Sequence, residues 1–296
     1  MDPHYLAPHA PKEEQMNKIL VTGATGKIAT DIVPQLVHAR ADVRAMVHDA
    51  AKAAPIKALG SETIVGDYGD KASLEKALDG VSTVLFLTPP GPDAWTQARD
   101  FLDIAKRNPK LRIVRISALK ASVSGPTPNT RLHGQTDDAI RDLQNPYVVL
   151  RPHFFMQNLL WQRTSIASEG KIAMSMGDGR LGLVDTRDIA DVATRVLLDS
   201  SWDFGTYEIT GPESLTFAEM AATLTKVLRK EITYVPLPLA AVEPAAPWVD
   251  RTMHDYSAAY AANWGDYTSG LVEKITGKKA RSFETFAREV LMPTLQ

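Results

Sequence analysis

Gly23-Ala24-Thr25-Gly26-Lys27-Ile28-Ala29 constrains the fold more than any other stretch, because it stands between an apolar run and an amphipathic one. Ahead of it, Lys18-Ile19-Leu20-Val21-Thr22 reads as a short buried strand. Behind it, Ile28, Ile32, Val33 and Leu36 recur at helical spacing. A strand, a glycine turn and a helix let the backbone approach a phosphate closely and aim the first-turn N–H groups and the positive helix end at it. Ala29 takes the third position of the usual dinucleotide fingerprint and is small enough for close helix–strand contact. The plainer alternative is a βα turn that needs glycine only to bend.

The same rhythm continues. Asp42–Val47, Glu62–Val65, Val81–Leu87, Arg112–Ser117 and Pro146–Leu150 read as strands, and helical patterns run from Lys71 to Leu78, from about Asp93 to Arg107 and near Arg131 to Leu143. Strands alternating with helices predict right-handed crossovers and a doubly wound α/β parallel sheet, a Rossmann fold covered on both faces. With 296 residues, 44% of them hydrophobic, the chain can bury a large core. The expected organisation is a disordered extension over 1–15, a dinucleotide-binding domain over 16–153, and remaining sheet elements with a smaller, mostly helical C-terminal substrate lobe over 154–296. In the last, Asp185 to Leu198 still reads as a helix on the sheet, while Pro236, Pro238, Pro244 and Pro247 punctuate loops and short helices.

Composition narrows the partners. A net charge of −2 offers no basic field for nucleic acid or an anionic membrane. The absence of cysteine excludes disulfides and thiolate chemistry and suits a cytoplasmic location. The first fifteen residues, with three prolines and two histidines, lack the apolar core of a signal peptide. No run approaches the roughly 18 to 20 apolar residues that span a bilayer, and no metal site is expected.

In such a sheet the ligand lies along the carboxyl ends of the strands. After the second strand come His48 and Asp49, with Arg44 inside it and Lys52 beyond. Cations there, in place of a carboxylate for the ribose diol, tilt the reading toward NADP (NADPH), with NAD possible. Asp49 is the rival feature, one position further along. Gly66-Asp67-Tyr68 after the third strand suits the adenine, and Leu87-Thr88-Pro89 after the fourth the ribose and nicotinamide path; Ser117 and Ala118 end the fifth.

Ile19 to Gly26, the Gly66-Asp67-Tyr68 turn, the run Leu150-Arg151-Pro152-His153-Phe154-Phe155-Met156-Gln157-Asn158-Leu159 and Val184 to Asp191 together resemble the NmrA-like branch of the atypical short-chain dehydrogenases/reductases. The resemblance spans about 17–198. It implies a Rossmann domain binding NADP or NAD, in a family that mixes reductases with cofactor-binding redox sensors. Carried over, Gly23, Thr25, Gly26, Lys27 and Ile28 would hold the pyrophosphate, Asp67 and Tyr68 would meet adenine, and Pro152, Phe154 and Phe155 would face the nicotinamide. The chain departs from many relatives in carrying His48 where they have arginine.

Short-chain dehydrogenases generally use a tyrosine with a lysine four residues on, whose ammonium lowers the phenol pKa. No tyrosine here has lysine at that offset. In the corresponding helix His133 and Asp137 stand one turn apart, a candidate proton donor with its orienting carboxylate; a purely structural His133 is the alternative. Without a strong acid the suited substrates are quinones, azo compounds, triarylmethane cations and activated imines or enones, which take hydride into an extended π system. Phe154, Phe155, Met156, Leu159, Leu160, Trp161, Trp248, Met253, Tyr256, Tyr260 and Trp264 are candidate walls for such a small aromatic or conjugated substrate. The leading expectation is an NAD(P)H-dependent reductase of the quinone or azo type. A non-catalytic redox sensor and an epimerase or isomerase with tightly held cofactor are the alternatives.

Overall fold

In the computed structural model, residues 17–239, 241, 243 and 246–295 are described; the expected extension at 1–15 and Pro244 lie outside them. The first described strand lies in the middle of the sheet. β1 (Ile19–Val21) pairs in parallel with β2 (Val43–Val47) on one side and β4 (Thr83–Phe86) on the other. β3 (Glu62–Val65) closes one edge, and β5 (Arg112–Ile116) and β6 (Tyr147–Pro152) continue on the far side of β4. After β7 (Lys171–Met174), β8 (Gly205–Ile209) joins β6 to complete a seven-stranded parallel sheet in the order β3-β2-β1-β4-β5-β6-β8. The chain therefore switches direction between β1 and β4, where a crevice opens at the strand ends.

Side-chain alternation distributes the strands between two cores. Ile19 and Val21 join Leu85, Val114 and Ile116 on one face, where α1 (Ala29–His38) contributes Ile32, Val33 and Leu36. The short α2 (Ala53–Lys57) adds Ile56 to that core, while α3 (Lys71–Leu78), α4 (Ala94–Ala105) and α5 (Pro128–Arg141) cover the second face. Leu20, Val84, Phe86 and Ile113 point to that second face and meet Leu74, Phe101 and Ile140. The expected doubly wound sheet is the observed one.

The remaining elements are mostly helical: α6 (Arg163–Glu169), α7 (Thr186–Leu198), α8 (Phe217–Leu228), a strand β9 (Thr233–Pro236), α9 (Trp248–Ala261) and α10 (Leu271–Thr276). α7 packs on the sheet through Ile189, Val192, Ala193 and Val196. β7 and β9 pair in a small two-stranded parallel sheet, and α8 packs with Ile172, Ile166, Phe283 and Phe286 into a third core.

Two boundaries differ from expectation for local reasons. α5 begins at Pro128, three residues before Arg131, because the Thr127 hydroxyl accepts from Thr130 N–H while the Thr130 hydroxyl bonds Thr127 N–H, with Pro128 at the first helical position. β6 runs two residues past Leu150, since Arg151 and Pro152 pair with Glu208 and Ile209 of β8. That partner is fifty-seven residues away in the chain.

Candidate active site

A groove of about 750 Å3 runs along the carboxyl ends of the strands and into the C-terminal elements. Its first part is built by the glycine turn. Gly23 takes a left-handed φ of +60°, Gly26 N–H donates to Gly23 O at 2.8 Å, and a Cβ on Gly26 would lie 3.1 Å from that oxygen. Thr25, Lys27 and Ile28 line the groove with the two glycines. Lys27 also places its ammonium 5.3 Å from the ring centre of Trp161. Bare backbone, a helix start and a nearby ammonium suit a pyrophosphate chemically.

The other strand ends follow. His48 and Asp67 line the groove, with His48 Nδ1 2.9 Å from Asp67 Oδ2; Asp67 Oδ1 accepts from Gly69 N–H. Tyr68 lines it too, but its hydroxyl donates to the buried Thr22 Oγ1 at 2.9 Å, so it presents ring and not hydroxyl. Thr22 in turn donates to Leu85 O and accepts from Leu87 N–H, tying three strand ends together. Leu87, Thr88, Pro89, Ser117, Pro152, Phe154 and Phe155 are all at the groove wall.

Three residues are not placed as anticipated. Arg44 does not reach the groove. It lies three residues before the end of β2, about 10 Å short of the crevice, and its guanidinium bonds Glu62 Oε1 at 2.8 Å and the carbonyls of Ala77 and Asp79 at the end of α3. A helix carboxyl end with a carboxylate beside it is the stronger attraction for a cation. Lys52 sits in a short 3-10 turn and is also outside the lining.

Asp137 does not orient His133. Its Oδ2 accepts from Ser117 Oγ at 2.9 Å and from Arg151 at 2.9 and 3.0 Å. A fully buried carboxylate is held by a guanidinium in preference to an imidazole, because the charge-assisted pair offsets more of its desolvation. Burial nevertheless raises its carboxyl pKa, against the opposing pull of Arg115 and Arg151. His133 stands at the groove wall with Nδ1 3.1 Å from Arg115 Nη2. Burial first, then the charges of Arg115 and Arg151, hold His133 well below the ordinary histidine pKa.

The far end of the groove is aromatic. Tyr260 stacks on Tyr256 at 5.8 Å and 13°, and on His153 at 5.8 Å and 28°, while Phe154 meets it edge-on. Trp264, Met253 and Met176 complete this wall. Met156, Leu159, Leu160 and Trp248, expected among the walls, are absent from it; the first two are buried in the third core. His153 donates from Nε2 to Gly265 O at 2.8 Å and accepts Phe154 N–H at Nδ1; burial pushes its pKa down to about 4.

Gln97, Asn129, His153, Asn158 and Met176 line the groove without having been singled out. Asn129 was reachable, since Thr127-Pro128 marks a helix start beside it, and Met176 follows a strand end. Of the lysine, arginine, aspartate and glutamate side chains, those lining the groove are Lys27 and Asp67, both at its first part. Among the described residues no cluster of His, Asp or Glu is arranged to hold a metal, and no helix is long and apolar enough to cross a membrane.

Fold and groove together define a Rossmann-type nucleotide-binding protein with an aromatic second compartment. The sequence profile of the NmrA-like family matches residues 15–286, and the chain belongs to that family. It is 32% identical over 276 residues to an NAD(P)H azoreductase of Xenophilus azovorans, covering 91% of this chain and 96% of that protein. Its structure is similar to the NADPH complex of an NADPH-dependent quinone oxidoreductase from Escherichia coli (TM-score 0.82, 25% identity, 94% and 100% of the two chains). It is also similar to a Citrobacter triphenylmethane reductase (TM-score 0.83, 25% identity, 93% and 99%).

Proposed function

We propose that the protein is an NAD(P)H-dependent reductase of planar conjugated acceptors: quinones, azo compounds, triarylmethane cations or activated imines and enones. The observation that carries this is the division of one continuous groove into a glycine-turn compartment with all the lining charges and an aromatic compartment with none. When bound, a nicotinamide dinucleotide supplies the hydride. Gly23, Thr25, Gly26, Lys27 and Ile28 would hold its pyrophosphate, His48 the adenosine ribose, Asp67 and Tyr68 the adenine, and Pro152, Phe154 and Phe155 the nicotinamide. The stacked Tyr256 and Tyr260 offer the acceptor flat apolar walls, and the relatives named for azo, quinone and triphenylmethane reduction support that substrate class.

Proton supply is weak by construction. Tyr68 has its hydroxyl engaged, and His133, held neutral, offers a hydrogen bond and not an imidazolium proton. The substrates it suits are those whose reduced form takes its proton from solvent. Near-neutral charge supports a small-molecule partner over nucleic acid, and a cysteine-free chain supports the cytoplasm.

Following NADPH oxidation with a panel of quinones, azo dyes and triarylmethane cations tests the reading. Turnover of at least one class is expected, with His133→Ala lowering kcat by at most about a hundredfold. Tight NADPH binding with no turnover of any acceptor would overturn it in favour of a redox sensor.

A further inference from the structure

Arg115 is a charged side chain buried near the carboxyl end of β5, 1% exposed, with no hydrogen bond to a carboxylate. Its guanidinium lies over the Phe86 ring at 4.7 Å, and its Nε has no partner. The polar contacts it makes are Nη1 to Thr88 Oγ1 at 3.4 Å and Nη2 to His133 Nδ1 at 3.1 Å. Burying a guanidinium with so few partners is unfavourable. Both polar contacts lead to the groove wall.

A guanidinium only donates hydrogen bonds. The Arg115 contact therefore requires His133 Nδ1 to be the acceptor, and a neutral ring must then carry its proton on Nε2. The surroundings of His133 agree on the charge state. β5 presents Arg115 and β6 presents Arg151, while on its own helix the Asp137 carboxylate is held by Ser117 and Arg151. Two cations oppose an imidazolium, and the one carboxylate on this helix that would favour it is engaged elsewhere.

We propose that Arg115 is a positioning residue: it fixes His133 as the neutral Nε2–H tautomer, so that the ring serves the groove as a constant hydrogen-bond donor to the bound acceptor. This rests on the reductase reading for its catalytic meaning, whereas the tautomer itself does not depend on it. Thr88 and Phe86 hold the guanidinium in place, and the donor strength stays the same across neutral pH because no proton is gained or lost.

The test uses the full chain with 15N-labelled histidine, His133 being assigned by the signal lost in His133→Gln. Long-range 15N–1H spectra are expected to show an Nε2–H neutral ring from pH 8 to below pH 6. In Arg115→Met, His133 is expected to show mixed tautomers and to titrate closer to 6.5, the ordinary value. Quinone reduction should then lose up to about a hundredfold in kcat with KM little changed, and gain a pH dependence. Arg115→Lys, which keeps one donor and the charge, should restore most of the tautomer preference.

Wild-type His133 found protonated at neutral pH, or in the Nδ1–H form, would overturn the proposal even if no Arg115 variant folds. So would an unchanged His133 spectrum in a folded Arg115→Met protein. The expected tautomer in a wild type that turns over no acceptor would instead remove the reductase reading and leave the Arg115 assignment standing.

Discussion

At the scale of single residues, neighbours decide whether a candidate side chain can serve the groove. Gly26 has no room on one side, since a Cβ would meet Gly23 O at 3.1 Å, and a branched side chain would also project where a pyrophosphate must approach. Gly26→Val is expected to abolish NADPH binding while the protein remains folded; calorimetry with unchanged affinity would refute the assignment. For Arg44 the sequence expectation and the structure lead to opposite results. With its guanidinium on Glu62, Ala77 and Asp79, Arg44→Ala should leave the ratio of NADPH to NADH dissociation constants unchanged and lower stability instead. His48→Glu, which places a carboxylate at the end of β2, should shift preference toward NADH by binding the ribose diol and repelling a 2′-phosphate. A ratio that moves with Arg44 and not with His48 would reverse this assignment.

At the scale of elements, α5 connects local sequence to the site. Its cap of Thr127 and Thr130 fixes where the helix starts, and thereby where Asn129 and His133 meet the groove. Its Gly134 lets the helix lie against the segment after β5, because a Cβ there would fall 2.2 Å from the Ser122 carbonyl carbon. Thr127→Ala is expected to cost about 1 kcal/mol in urea unfolding. Gly134→Ala should do more harm, since backbone must move to admit the methyl group, and the displaced helix would carry His133 with it. Equal, small losses in both variants would show that α5 docks less rigidly than its contacts indicate.

At the scale of the whole molecule, stability should depend on pH through buried histidines. His153, 2% exposed and tied to Gly265 and Phe154, titrates at about 4 in the folded chain against about 6.5 when unfolded. Between those values the unfolded chain binds the extra proton, so stability is lost as pH falls from about 6.5 to about 4, by roughly 3 kcal/mol for this group. His133 acts in the same direction. Asp137 and Asp188, whose carboxyl pKa values burial raises, act oppositely. Comparing urea unfolding of the wild type and His153→Gln from pH 7 to 4 isolates the histidine contribution; parallel curves would show that His153 protonates without disturbing the fold.

What the sequence alone determined were the features encoded within a few residues. The glycine turn, the strand and helix alternation and the positions of the strand ends are of this kind, since hydrophobic period and turn chemistry act over short distances. So is the missing tyrosine–lysine pair. Only the tertiary structure decided which polar groups remained available. Arg44 lies within β2 and Asp137 one helical turn from His133, as the sequence indicated, yet partners from other elements hold each away from its expected role, and Arg115 reads in sequence as one more residue of an alternating strand. The aromatic wall likewise joins His153 after β6 to Tyr260 and Trp264 more than a hundred residues later. Charge-assisted hydrogen bonds and desolvation depend on distance in space, and the folded chain sets that distance.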